Sequence, residues 1–344
     1  MKDPQAASFT GLIDLASVQL GGRAVGVSDD FFAGVENLIQ PGRAVFIADK
    51  FTERGKWMDG WESRRKRTPG FDWCVLELGA AGHVLGLDID TQHFSGNHPA
   101  FASVEGIHAP RGSSLEALLQ LPWFPLLDQA PLRPDAQNLF GASASGPVSH
   151  IRLNIFPDGG VARLRVYGRV LPNFAESEPR DPETSTRVDP ALVDLAAVKN
   201  GALALACSDA HFGGMNNLLL PGRASNMGSG WETRRSRKPN RDWILIKLAA
   251  RGRPLVLELD TNHFRGNFPD RCLVETIDAE GARITDLIQS ESWSTLLPET
   301  KLHAHERHFF SSELINQTAC SHVRLTIIPD GGISRLRVWG SRDV

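Results

Sequence analysis

The sequence predicts an all-β protein made of two tandem antiparallel β-sandwiches, and three observations lead there. Short apolar runs with a period of two recur along the chain, separated by Gly and Pro turns. The runs come twice: Asn37 returns as Asn217, 180 residues on, and Asp72 as Asp242, 170 residues on. There is no GxGxxG or P-loop, and no strand–helix alternation of the kind that builds a parallel sheet.

With 344 residues the chain exceeds one compact core of ordinary size and suits two domains. The expected boundaries are 1–170 and 191–344. Between them lies a Pro-rich, acidic linker at 171–190, including Pro172, Glu176, Pro179, Asp181, Pro182 and Glu183. A net charge of −3, from 37 basic and 40 acidic residues, gives no sign of a nucleic-acid or anionic-membrane partner. The balance suits a small-molecule ligand. No apolar run reaches about 18 residues, and Met1-Lys2-Asp3-Pro4 lacks the basic and apolar segments of a signal peptide, so a soluble, cytoplasmic protein is expected. Cys74, Cys207, Cys272 and Cys320 show no CxxC spacing and are not repeated between the halves, which points to buried reduced thiols.

The first element, Gly11–Ala16, reads as an edge segment or a short helix. The repeat then opens at Ser28-Asp29 and Ser208-Asp209 and runs to Pro41-Gly42-Arg43 and Pro221-Gly222-Arg223. Ala44 to Gly60 is 17 residues and Ala224 to Gly230 is 7, so the first half carries ten more, with Lys50, Phe51, Glu53, Lys56, Trp57 and Asp59 among them. Such a loop is either a functional insertion or a solvated one. Next comes Trp61-Glu62-Ser63-Arg64-Arg65, repeated as Trp231-Glu232-Thr233-Arg234-Arg235, whose tryptophans read as core. Apolar strands follow at 74–78 and 244–248. Turns are expected at Gly82 and Gly252, and second strands run into Asp90 and Asp260.

Those strands end in loops, Asp90-Thr91-Gln92-His93-Phe94-Ser95-Gly96-Asn97 and Asp260-Thr261-Asn262-His263-Phe264-Arg265-Gly266-Asn267. A cluster of His303, His305 and His308 belongs to the second half alone and reads as a polar surface loop more readily than as a metal site. Each half closes with a stretch expected to be a hairpin around Pro157-Asp158-Gly159-Gly160 or Pro329-Asp330-Gly331-Gly332. Alternation places Ile151, Leu153, Ile155, Leu164 and Val166 toward the core, with His150, Arg152, Arg163 and Arg165 on the other face. Arginines so arrayed require either an ion-pair network, the commoner outcome, or a bound anion.

Taken together, the segment Phe51–Arg65, the two Asp-Thr-x-His-Phe-x-Gly-Asn loops and the two Pro-Asp-Gly-Gly segments with Arg-Leu-Arg-Val closely resemble the allantoicases, over residues 23–342. The resemblance implies a repeated jelly-roll (galactose-binding-like) fold. It also implies an amidinohydrolase that converts allantoate and water to ureidoglycolate and urea in allantoin (purine) degradation. The second half departs by having Ser229 where the first has Asp59, and by lacking the Lys50–Asp59 segment.

Allantoate is a small carboxylate whose central carbon bears two ureido groups. Arginine forks pair with carboxylates, which makes Arg64, Arg65, Arg234 and Arg235 the candidate anchors. Ureido N–H groups need acceptors, for which Glu62, Asp90 and Asn97 or Glu232, Asp260 and Asn267 are candidates, with Lys50 and Asp59 added from the insertion. Breaking the C–N bond needs proton transfer. His93 and His263 recur at matched positions, and imidazole is the commonest general acid and base, so they join Glu62 and Glu232 as catalytic candidates. A divalent metal is a candidate cofactor, with Asp88, Asp90 and His93 as ligands, although no recognised metal spacing is met. A homo-oligomer is expected. Two other readings remain: a non-catalytic sandwich that binds a small ligand such as a sugar, and motifs that serve a pseudo-dimer interface.

Overall fold

A computed structural model describes residues 9–143, 146–174, 180–237 and 239–343. The chain divides into two compact units, Met1–Leu171 and Pro172–Val344. Each is a jelly-roll β-sandwich, as expected, and the two share one topology.

In the first unit a single 19-residue strand, Asp72–Asp90, is the spine. Its first part pairs with Val148–Phe156 on one side and Arg23–Val27 on the other. Its second part pairs with Arg163–Val170 and Leu139–Gly141. One layer is extended by Phe101–Ile107 and Phe124–Pro131, and the other by Ile13–Asp14; every pairing is antiparallel. The inward side chains alternate along these strands, and Leu76, Leu87, Ile89, Ile151, Leu153, Ile155, Leu164 and Val166 are fully buried.

Two sequence expectations need correction. Gly82 and Gly252 mark bends inside one long strand, not turns between two. The register shifts where His150 faces Glu77 and Val148 faces Gly82, and the strand passes so close to its neighbour that a Cβ on Gly82 would lie 2.3 Å from the Arg169 carbonyl oxygen. The strands around Pro157–Gly160 do not form a hairpin either. Val148–Phe156 and Arg163–Val170 pair with different parts of the long strand, so the turn carries the chain from one layer to the other. Turn chemistry fixes a local reversal but not the partner of the strand that follows.

The second unit repeats this plan around Asp242–Asp260, with Cys320–Ile328 and Arg335–Arg342 in the equivalent layers. The stretch read as a linker holds a short helix, Pro182–Arg187, N-capped by Asp181, while residues 175–179 lie outside the described residues. Near the N-terminus, Ile13–Asp14 is an edge strand against Tyr167 and Gly168.

The arginine face resolves into ion pairs, with Arg152 to Glu105 at 2.6 Å, Arg163 to Asp59 at 2.7 Å and Arg165 to Asp14 at 3.3 Å. His150, expected on that outer face, is completely buried. Its strand lies inside the sheet, and the ring sits between Ser149 and Glu77. All four cysteines are free thiols, and three of them are buried. Among the described residues, no helix is long and apolar enough to cross a membrane.

Candidate active site

Three repeated motifs, far apart in sequence, lock together at one end of each sandwich. Trp61 anchors the first: its ring is fully buried and its Nε1 donates to the Asp29 carbonyl at 2.8 Å. That places Trp61–Glu62 as a two-residue strand against Gly160–Val161. Gly160 must be glycine there, since a Cβ would lie 2.0 Å from the ring of Phe94. Its N–H in turn donates to the Asn97 carbonyl at 2.8 Å. The turn aspartate takes part too, as Asp158 accepts from the Lys66 N–H at 2.8 Å.

The outcome is a carboxyl and an amide held together. Asn97 Nδ2 donates to Glu62 Oε1 at 2.6 Å, and Asn267 Nδ2 donates to Glu232 Oε1 at 2.5 Å. The second repeat reproduces the scaffold, with Trp231–Glu232 on Gly332–Ile333 and the Ser236 N–H on Asp330. Burial pushes the Glu62 carboxyl above its ordinary value, and the Asn97 hydrogen bond only partly opposes this. A carboxyl shifted in that direction keeps its proton more readily than a free one, which suits a general acid.

The paired arginines of each motif have different fates. Arg64 is bound to Asp29 through Nε at 2.7 Å and lies over Phe31, while Arg234 bonds Asp209 through its backbone and His211 through Nη2. Both are therefore structural in these contacts. Arg65 and Arg235 are exposed and make no hydrogen bond or ion pair among the described residues. In the second unit Arg235 lines a cleft of about 480 Å³ together with Glu232, Asn267, Asp330 and Phe212.

The remaining candidates gather elsewhere. His93 and His263 stand at positive φ, and the Nε2–H of each donates to a carbonyl, that of Ala44 at 3.2 Å and that of Ala224 at 2.9 Å. No hydrogen bond joins either imidazole to Glu62 or Glu232. Asp90 accepts from the Gln92 N–H and faces Arg43 at 3.6 Å, and Asp260 accepts a two-pronged contact from Arg223 at 2.9 and 3.1 Å. Asp59 closes the inserted loop onto Arg163 and the Val45 N–H. Lys50 lies 3.7 Å over the Trp57 ring within that loop.

The ligand set proposed for a metal does not fit one. Asp88 Oδ2 accepts from the Gln137 amide at 2.7 Å, Asp90 accepts from the Gln92 N–H and faces Arg43, and His93 Nε2 donates to the Ala44 carbonyl, which leaves Nδ1 as its one lone pair, so the three are held by separate partners. His305 and His308 use ring nitrogens to accept from the backbone N–H groups of His263 and His303. Among the described residues, no group of three or more His, Cys, Asp or Glu side chains is arranged to hold a metal ion. Sequence reasoning passed over Asp158 and Asp330, which read as turn formers, and Arg43 and Arg223, although the last two were visible in the repeated Pro-Gly-Arg.

Fold and site thus define a duplicated β-sandwich protein with a polar cleft for a small ligand. The sequence pattern described as the Allantoicase repeat matches residues 13–171 and 193–343. The chain is 45% identical to "Probable allantoicase 1" of Burkholderia mallei, covering 100% of this chain and 98% of that protein, and 44% identical to "Probable allantoicase" of Acinetobacter baylyi, covering 97% and 95%. It superposes on the crystal structure of allantoicase from Saccharomyces cerevisiae with a TM-score of 0.81, at 36% identity and 99% coverage of both chains. The chain belongs to the allantoicase family.

Proposed function

We propose that the protein hydrolyses allantoate to ureidoglycolate and urea, a step of allantoin (purine) degradation, and that the cleft at Glu232 or the equivalent Glu62 motif of the first repeat carries the reaction. The observation that carries this reading is the delivery of a carboxyl, an amide and an uncommitted guanidinium to one cleft by repeated motifs. Arg65 or Arg235 takes the substrate carboxylate, and the Asn97 or Asn267 amide and the glutamate hold a ureido group.

The bond that breaks joins the central carbon to one ureido nitrogen. Glu62 or Glu232, acting as general acid, gives a proton to that nitrogen, and urea leaves. Water adds its oxygen to the carbon and returns a proton to the carboxylate, so one water is consumed and the glutamate is regenerated. Arg64 and Arg234 hold the motif in shape. His93 and His263 fix the loops that present Asn97 and Asn267, while Asp90, Asp260, Lys50 and Asp59 act outside the cleft. The assembly we expect is a homo-oligomer, working in the cytoplasm.

Urea release from allantoate by the purified protein, with and without a chelator, tests the activity. Release under both conditions supports the reading, and loss with chelator alone identifies a metal requirement. Absence of urea under both conditions overturns it in favour of a sandwich that only binds a small ligand.

A further inference from the structure

The second unit contains another cavity, of about 330 Å³, which shares no lining residue with the Glu232 cleft. Its wall carries six basic side chains against four acidic ones. Most of the arginines are committed. Arg223 is bound by Asp260 at 2.9 Å, Arg307 by Glu258 and Asp181, and Arg337 faces Asp194 at 3.6 Å.

Arg335 is different. It is only 4% exposed, and it donates to the carbonyl oxygens of Asn217, Gly222, Ser229 and Ser334. Among the described residues it has no carboxylate within ion-pair distance. Asp260, the carboxylate that favours its charge, is already held by Arg223, and a guanidinium buried with so little counter-charge is costly. Burial, and then the neighbouring Arg337, pull it down to about 9.

The first repeat shows what is missing. Arg163 holds the same place there, and its Nη2 meets Asp59 Oδ2 at 2.7 Å. The counterpart of Asp59 is Ser229, which cannot supply a charge. The matching cavity of the first repeat is balanced, with Arg43, Arg163 and Arg165 against Asp14, Asp88 and Asp90, whereas the second keeps the counterparts of all six and adds Arg180, Lys199 and Arg307 against Asp181 alone. The second cavity already accepts a carboxylate at its mouth, where Asp181 meets Arg307 with contacts of 2.8 and 3.1 Å.

We propose that the cavity of the second repeat binds a small monocarboxylate anion, whose oxygens engage the Arg335 guanidinium where it lines the wall. Trp339 and Leu192, on the same wall, provide apolar surface for a short carbon chain. The four acidic side chains disfavour a more highly charged anion such as phosphate.

The test is calorimetric titration of glycolate, and separately of inorganic phosphate, into the full chain carrying Arg65→Ala and Arg235→Ala. Those changes remove the two guanidinium groups assigned to the substrate carboxylate under the proposed function. One saturable glycolate site per chain is expected to remain. Arg335→Met should weaken it at least about tenfold, the scale of a lost charge-assisted hydrogen bond. Ala191→Trp, at the exposed mouth of the cavity, should abolish binding while leaving Arg335 in place, which covers the case in which Arg335→Met fails to fold. Absence of glycolate binding in the double variant, binding that survives Ala191→Trp, or phosphate binding as tight as glycolate overturns the proposal. None of these readouts depends on urea release, so the site and the activity stand or fall separately.

Discussion

Asn97 donates to Glu62 at 2.6 Å, and 170 residues later Asn267 donates to Glu232 at 2.5 Å. The pair joins two motifs that the chain keeps 35 residues apart in each repeat. It forms only because a glycine-rich turn lets the loop of Asn97 settle against the strand of Glu62.

Replacing both carboxyls, Glu62→Gln with Glu232→Gln, keeps shape and hydrogen bonding but removes the transferable proton. A fall in kcat of about 10²- to 10⁴-fold is expected, the usual worth of a positioned acid or base. Steady-state assays of urea release on each single variant and the double would also show which repeat works. Unchanged kcat in the double variant would exclude the glutamates from the chemistry.

Arg65→Ala and Arg235→Ala should act on KM, because each side chain is exposed and makes no hydrogen bond or ion pair among the described residues. Loss of a charge-assisted hydrogen bond of about 1.5–3 kcal/mol corresponds to roughly a 10- to 100-fold rise in KM at the working site. Thermal melting should hardly change. By contrast, Arg64→Ala removes the contact to Asp29 and should lower Tm by a small amount.

Gly332→Ala tests the lock between motifs. A methyl there would lie 2.0 Å from the Phe264 ring, so the turn or the ring must move, at a cost of about 1–3 kcal/mol or more. Chemical denaturation reads the loss directly. Activity should fall with it, as the Glu232–Asn267 contact depends on the same packing. An alanine variant of native stability would show that the turn has slack.

Asp194 supplies a pH prediction. Burial raises its carboxyl to about 6 against the pull of Arg337, so the folded chain binds this proton more tightly than the unfolded chain does. Its contribution to stability is therefore fully present below about pH 4 and declines as pH rises toward 6, by on the order of 3 kcal/mol. Asp194→Asn should remove that decline from the unfolding free energy measured between those values. A slope identical to that of the unsubstituted chain would mean the carboxylate stays ionised throughout.

What the sequence reveals follows from what is local. Alternation along 151–155 and 164–166 identifies buried strand faces because side-chain period and burial are linked residue by residue. The duplication identifies which residues recur, and Glu62 and Asn97 are among them. Pairing is not local: Pro157–Gly160 has hairpin chemistry, yet its flanking strands join separate layers. Nor does a loop reveal which way each of its side chains faces. His93 and Asn97 sit four positions apart, and one meets Ala44 while the other meets Glu62. Arg163 and Arg335 look equivalent in sequence, and the exchange of Asp59 for Ser229 separates a guanidinium that has its own ion pair from one that has none among the described residues.

The long strand Asp72–Asp90 has a further consequence. Because it hydrogen-bonds into both layers of its sandwich, neither layer can open without disturbing backbone pairing in the other. Amides along its length should exchange with solvent in one event at the free energy of global unfolding, whereas those of the short edge strands should exchange sooner. The clefts thus rest on a scaffold that yields all at once or not at all, and a protease that cuts at the exposed loops would find no half-open intermediate to attack.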